Sequence, residues 1–420
     1  MAPPDVHRAI EAVWRIESGR IVARLVRMVG DVGKAEDFAQ DALVAALESW
    51  TKSGVPDNPG AWLMTVAKRR ALDHLRRVQL IDEKHQELGG ELAVTGTVER
   101  PDAEASLELV GDDMLRLVFM CCHPVLAREA RVALTLRLLG GLTTEEIARA
   151  FLVPVPTLAQ RIVRAKRTLR EAKVPFEMPP EHELGERLAS VLEVVYLVFN
   201  EGYAATSGDE WIRPELCRDA LRLGRILAGL APREPEVHGL VSLMEIQASR
   251  LGARVGPDGA AVLLRDQDRG RWDQLHIRRG LAALTRAQEL GGALGPYALQ
   301  AAIAACHARA RAAEDTDWEA IAALYDALVQ VAPSPVVALN RAVAVGMAFG
   351  AESGLELVED LASETRLEGS PLLPAVRAHL LQELGRSKEA RSEFLRAASL
   401  TRNECEREVL LRRAEEGRGG

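Results

Sequence analysis

At 420 residues the chain is too long for one small core, and at about 100–200 residues per domain it should divide into roughly two to four. Hydrophobic residues make up 48% and charged residues 27%, which excludes a largely disordered chain. With Asp and Glu at 61 against Lys and Arg at 53, the net charge of −8 repels nucleic acid overall, so any DNA binding must come from local basic faces or from a partner's added affinity. The opening residues MAPPDVHRAI lack an apolar core flanked by basic residues, and no stretch approaches the ~18 uninterrupted apolar residues that cross a bilayer. A soluble, cytoplasmic protein with no membrane partner is expected. Cys121, Cys122, Cys217, Cys306 and Cys405 are odd in number and scattered, which predicts reduced thiols and not a disulfide framework.

Apolar residues recur at i, i+3, i+4 and i+7 almost throughout, which predicts an all-α protein. In the first segment, 5–77, Gly33 to Asp37 lead into a helix with Phe38, Ala42, Leu43, Ala46, Leu47 and Trp50 at helical spacing. Its other face carries Asp37, Gln40, Asp41 and Glu48. A Pro/Gly loop over 54–60 precedes a second helix with a basic end, Lys68, Arg69, Arg70, Arg76 and Arg77. Residues 78–111 hold eight acidic residues against two basic ones and few apolar ones, so an acidic, flexible linker is expected there. A second folded unit spans 112–173 and ends at a breaker between Pro175 and Pro180. From 183 to 420 the chain reads as a long Ala- and Leu-rich helical array, interrupted over 252–264 by Gly256-Pro257-Asp258-Gly259, where a small β-hairpin is expected.

Residues 142–170 are the most informative stretch. Thr143 followed by Glu146 is a capping box, which predicts a helix burying Ile147, Ala148 and Phe151. Pro154 and Pro156 stop that helix and suit the first turn of the next. The second helix puts Leu158, Ile162, Ala165 and Leu169 on one stripe and leaves Gln160, Arg161, Arg164 and Arg167 on or beside the opposite face. Two helices joined by a tight turn, the second basic on its free side, is the arrangement that inserts a recognition helix into a major groove. Thr157, Gln160, Arg161 and Arg164, near the helix start, are the candidates for base edges and nearby phosphates.

Other signals are weaker. Cys121-Cys122-His123 lacks the C-x₂₋₄-C spacing and a second ligand pair, so no metal is expected. Asp266, Asp268 and Gly270 fall short of a calcium loop, whose twelfth position would be Ile277, and read as a structural turn. Asn200 to Tyr203 reads as a helix end with Gly202 as a left-handed cap. No phosphate-binding glycine loop or catalytic triad is present, so neither an enzyme nor a cofactor is expected.

Together these segments resemble the sigma-70 superfamily. The stretch DVGKAEDFAQDALVAALESW is similar to sigma region 2.2, NPGAWLMTVAKRRALDHLRR to regions 2.3 to 2.4 of the extracytoplasmic-function group, and GLTTEEIARAFLVPVPTLAQRIVRAKRTLR to its region 4.2. The motifs NEGYAATSG, LLRDQDRGRWD and DTDWEAIAALYDALVQVAPSPVVALNRAVAV resemble the subgroup whose C-terminal extension contains tetratricopeptide-like (TPR-like) repeats. Pro156 departs from the small or acidic residue usual in that first turn.

The resemblance implies two small helical sigma domains followed by an α-helical repeat domain. It implies core RNA polymerase as partner through the β′ clamp and β flap, with Asp37, Gln40, Asp41 and Glu48 on the clamp-binding helix. Minus-10 promoter DNA would meet Asn58, Trp62, Lys68, Arg69, Arg70, Arg76 and Arg77, and minus-35 DNA would meet Thr157, Gln160, Arg161, Arg164 and Arg167. The acidic linker would thread the polymerase channels, and the repeats would offer a concave surface to a protein or peptide. Ala378, Leu381, Gly385, Ala390, Phe394 and Ala397 stand at the offsets of one repeat, and Trp318 to Pro333 form a partial one. The rival reading is a stand-alone helix-turn-helix regulator with a helical-repeat sensor domain.

Overall fold

The computed structural model describes residues 3–86, 113–151, 153–205, 210–256, 260–362 and 364–416. The chain divides into two units, 1–194 and 195–420.

In the first unit α1 (Pro3–Val29), α2 (Val32–Ser53) and α3 (Pro59–Gln86) pack pairwise into a three-helix bundle. Local chemistry sets the α2 boundaries: the Asp31 carboxylate accepts from the Gly33 and Lys34 N–H groups, and Gly54, at φ 82°, donates its N–H to the Trp50 carbonyl. Val22, Leu25, Ala35, Ala39, Ala42, Trp50, Leu63 and Ala67 fill the space between the helices. The small residues let the backbones approach closely. α3 runs on to Gln86, beyond the expected end at Arg77; the rest of the expected linker, 87–111, lies outside the described residues.

The second bundle comprises α4 (113–121), α5 (Arg128–Leu138), α6 (Thr144–Ala150) and α7 (Val155–Glu171). The opening part of α8 (Glu181–Tyr203) joins it: Ser190 donates to the Cys122 carbonyl at 2.9 Å and Arg187 to that of Phe119 at 3.1 Å.

The second unit continues α8 and adds α9 (Pro214–Leu230), α10 (Pro235–Ala248), α11 (Gln274–Glu289), α12 (Pro296–Arg309), α13 (Trp318–Val331), α14 (Pro335–Phe349), α15 (Ala351–Asp360), α16 (Leu372–Glu383), α17 (Ser387–Leu400) and α18 (Glu404–Glu416). From α9 on each helix packs on its chain neighbour, the pattern of a quasi-one-dimensional array. Buried on almost every side, α10 is the helix that α9, α11 and α12 surround. Caps start several helices: Asp273 accepts from Leu275 and His276, Asp317 from Ala320, and Ser334 from Val337. Between α16 and α17, Gly385 at φ 72° makes the turn, and Ala378, Leu381, Ala390, Phe394 and Ala397 are all buried around it.

Two expectations need correction. Over 252–264 no strand forms among the described residues: Val255 and Ala261 make one isolated antiparallel bridge, and the apolar run after it turns into a 3₁₀ turn, Leu264–Asp266. One bridged pair is too short to propagate a ladder; residues 257–259 of the expected hairpin lie outside the described residues. Gly202 is no left-handed cap, because α8 runs through it to Tyr203. Its lack of a side chain serves close approach instead: a Cβ there would stand 2.7 Å from the Cys217 nitrogen and 2.9 Å from the Arg213 oxygen.

Candidate nucleic-acid interface

α6 and α7 form the helix-turn-helix. The expected capping box is made in both directions, the Thr143 N–H donating to Glu146 Oε2 at 2.7 Å and the Glu146 N–H to Thr143 Oγ1 at 3.1 Å. Pro154 is the N-cap residue of α7 and Pro156 lies in its first turn; Leu158, Ile162, Ala165 and Leu169 are its buried stripe. Thr157, Gln160, Arg164 and Arg167 are exposed and Arg161 half-buried. Thr157, Gln160, Arg161 and Arg164 line one wall of a groove of about 330 Å³, whose other wall is Val125, Leu126, Ala127 and Ala130 at the start of α5. Ala127, the N-cap position of α5, contributes no side-chain hydrogen bond; the Ala130 N–H donates to its carbonyl at 2.9 Å, which leaves the Arg128 and Glu129 N–H groups at the helix start beside the groove.

In the first bundle Asp37, Asp41 and Glu48 are exposed and Gln40 is half-buried on α2. Burial raises the Asp37 carboxyl above its usual range, while the neighbouring Lys166 acts against the rise. Asn58 is exposed, yet its side chain caps α3 by accepting from the Ala61 N–H at 3.1 Å. Trp62 is half-buried and meets buried Trp50 edge-on at 5.3 Å between centroids, so one side of its ring is already covered. On α3, Arg69, Arg70, Arg76 and Arg77 are exposed, and Arg76 lies 3.7 Å from Asp73. Lys68 is half-buried, and desolvation together with nearby Arg24 lowers its pKa.

Sequence reasoning missed what joins the two bundles. Glu36 is buried on α2; its carboxylate accepts from Arg137 Nε of α5 at 2.6 Å and is paired with the Lys166 ammonium of α7. Arg15 of α1 binds Glu146 of α6 at 2.5 Å, Arg170 of α7 lies 3.8 Å from Asp31, and buried Asp113 takes Arg24, Arg27 and Arg116 at 3.1 to 3.4 Å. One signal was present: Glu36 sits at i, i+3, i+7, i+10 and i+14 with Ala39, Leu43, Ala46 and Trp50, a carboxylate on the apolar stripe. α7 therefore turns Lys166 and Arg170 toward α2 and leaves Gln160, Arg164 and Arg167 outward.

The lesser signals resolve locally. Cys121 and Cys122 are buried thiols, and burial pushes Cys122 up to about 11; His123 Nδ1 accepts from the Val125 N–H within a turn. Asp268 accepts from the Gly270 N–H at 2.9 Å, a local turn. Among the described residues no group of three His, Cys, Asp or Glu could hold a metal ion, and no helix is long and apolar enough to cross a membrane.

Comparison with known proteins matches residues 15–80 to Sigma-70 region 2, residues 116–169 to Sigma-70 region 4, and residues 187–288 to a family of unknown function, DUF6596. An uncharacterized protein of Rhizobium meliloti (strain 1021) is 43% identical over 386 residues, 91% of this chain and 89% of its own length. The probable ECF RNA polymerase sigma factor SigI of Mycobacterium tuberculosis is 29% identical over 174 residues, 41% of this chain and 59% of that protein. The ECF RNA polymerase sigma factor SigK of Mycobacterium bovis is 28% identical over 155 residues, 36% of this chain and 78% of that protein. Yeast Tom70 aligns over 99% of this chain and 85% of its own at 12% identity and a TM-score of 0.31, too slight a likeness to carry an argument. With both sigma regions matched in order at the N-terminal end, and residues 187–288 matched to a further family behind them, the chain belongs to the extracytoplasmic-function sigma factors and carries a C-terminal extension.

Proposed function

We propose that the chain binds core RNA polymerase, recognises minus-35 and minus-10 promoter elements, and starts transcription under the control of its own extension. The observation that carries this reading is the face of α7: a fully buried apolar stripe on one side, and Thr157, Gln160, Arg161 and Arg164 along an open groove on the other. In that groove the arginines would meet bases and phosphates of the minus-35 element, and the Arg128 and Glu129 N–H groups at the start of α5 would receive a further phosphate. Exposed Arg69, Arg70, Arg76 and Arg77 on α3 would neutralise minus-10 phosphates, with Trp62 beside them as the stacking surface. The open acidic residues of α2, Asp37, Asp41 and Glu48, would pair with basic groups on the polymerase β′ clamp. The successive helical pairs of 195–420, with small residues where α16 meets α17, support a TPR-like array that acts on the sigma module in cis.

Mobility shift of promoter DNA tests this. The chain alone, at net charge −8, should bind poorly, and addition of core polymerase should give a promoter-specific complex. Tight operator binding by the chain alone, unaltered by core, supports the stand-alone regulator instead.

A further inference from the structure

We infer that the extension holds a buried site for a small oxyanion-bearing ligand, a phosphate or a carboxylate, gripped by Arg250 and Arg254. Both arginines follow α10, in the turn around a 3₁₀ segment at Leu251–Ala253, and both are more than nine-tenths buried. The Arg254 guanidinium lies 4.0 Å from the centre of the Tyr203 ring and 5.3 Å from that of Trp211. Arg250 lies 5.6 Å from Tyr203 and 5.7 Å from Trp272, and Arg269 approaches Trp272 from 4.9 Å. Three guanidinium groups thus converge on one aromatic cluster.

Among the described residues no carboxylate pairs with Arg250 or Arg254. Elsewhere in the same unit buried charge is compensated: Arg213 binds Glu201 at 2.6 Å, and buried Glu245 takes Arg225 at 2.7 Å and His276 at 2.6 Å. At the arginine cluster the Arg254 guanidinium hydrogen-bonds the Tyr203 side chain, but further donors are left over. Among the described residues, Arg250 Nε, Arg254 Nε and the indole N–H groups of Trp211 and Trp272 are buried donors with no acceptor. Ring faces attract a guanidinium only weakly compared with the cost of removing it from water, so the rings do not replace an anion.

Orphaned donors with surplus positive charge call for a multivalent acceptor carrying negative charge, and a phosphate or carboxylate group matches the fork of an arginine. The ring faces are already occupied by the arginines themselves, so recognition runs through charge and hydrogen bonding, not through stacking of a base. Burial of both arginines excludes a duplex backbone. Tyr203, Arg269 and Trp272 come from the two segments, Asn200–Tyr203 and Leu263–Asp273, that promoter recognition leaves without a role, and Trp211, Arg250 and Arg254 lie between them.

The test is thermal unfolding of the full chain, and calorimetric titration, with inorganic phosphate or citrate against chloride at matched ionic strength. Wild type should show saturable binding of at least one oxyanion, with its folding equilibrium raised about a hundredfold at 100 times the Kd. Response to phosphate alone assigns the site to a phosphate group, and response to citrate alone to a carboxylate. Arg254→Gln and Arg250→Gln should each unfold at higher temperature than wild type in chloride, since each removes an uncompensated buried charge, and should lose the oxyanion response. General salting by these anions acts equally on wild type and variants, so the difference between them reads the site. No saturable heat with either anion, or a wild-type response retained in both variants, overturns the proposal.

Discussion

Arg164 stands exposed on α7 with Leu158, Ile162, Ala165 and Leu169 locked beneath it, so its removal should leave the fold intact and change recognition alone. A good base contact is worth about 1–3 kcal/mol of discrimination. Arg164→Ala, or Arg161→Ala, should therefore cut selectivity for the minus-35 element about 10- to 100-fold in competition binding with core polymerase, at an unchanged unfolding temperature. Arg76→Ala with Arg77→Ala should instead weaken binding across all sequences and flatten its salt dependence. A different residue sets a pH response in the extension. His307 is buried edge-on against Trp318, and desolvation, with Arg250 and Arg269 nearby, lowers its pKa from 6.5 to about 4. The folded state thus favours neutral imidazole, and between those values the unfolded chain binds more protons. This contribution is present in full above pH 6.5 and is lost as pH falls toward 4, at up to about 1.4 kcal/mol per pH unit. Urea midpoints of wild type should drop between pH 7 and pH 5 by more than those of His307→Gln; parallel curves would refute the assignment.

Between elements, the contact that matters most is the clasp of α2 by α5 and α7. Glu36→Ala leaves Arg137 and Lys166 facing each other without their shared carboxylate, and removing one partner of a buried pair costs about 3–5 kcal/mol. The variant should lower the urea midpoint of the first unit, while Glu48→Ala, an exposed position on the same helix, should leave it within about 0.5 kcal/mol of wild type. How far sequence reads structure is visible in these same elements. The capping box at Thr143 and Glu146, the buried stripe of α7 and the Gly385 turn were legible because each is a matter of spacing within about a dozen residues. Asn58 as a cap, the edge-on pairing of Trp62 with Trp50, and the clasp at Glu36 were not, since they depend on which helix lies alongside. Gly202 misled for the same reason: glycine suits a left-handed cap and a close approach equally, and only the neighbouring Cys217 backbone decides between them.

At the scale of the whole molecule, net charge −8 coexists with basic faces on α3 and α7, so affinity for DNA has to be completed by a partner. Residues 195–420 form a unit larger than the sigma bundles, and cutting the chain there should lower promoter-specific transcription at equal core occupancy. The cut belongs after Val194, since the first half of α8 packs on Cys122 and Phe119 of the first unit and its loss would uncover that core. The most direct measurement is run-off transcription with core RNA polymerase from a promoter found by sequencing transcripts after induced expression. A transcript that requires both core and this chain, and that falls with Arg161→Ala and Arg164→Ala, is the predicted result. No core-dependent transcript, together with tight DNA binding by the chain alone, would contradict the account.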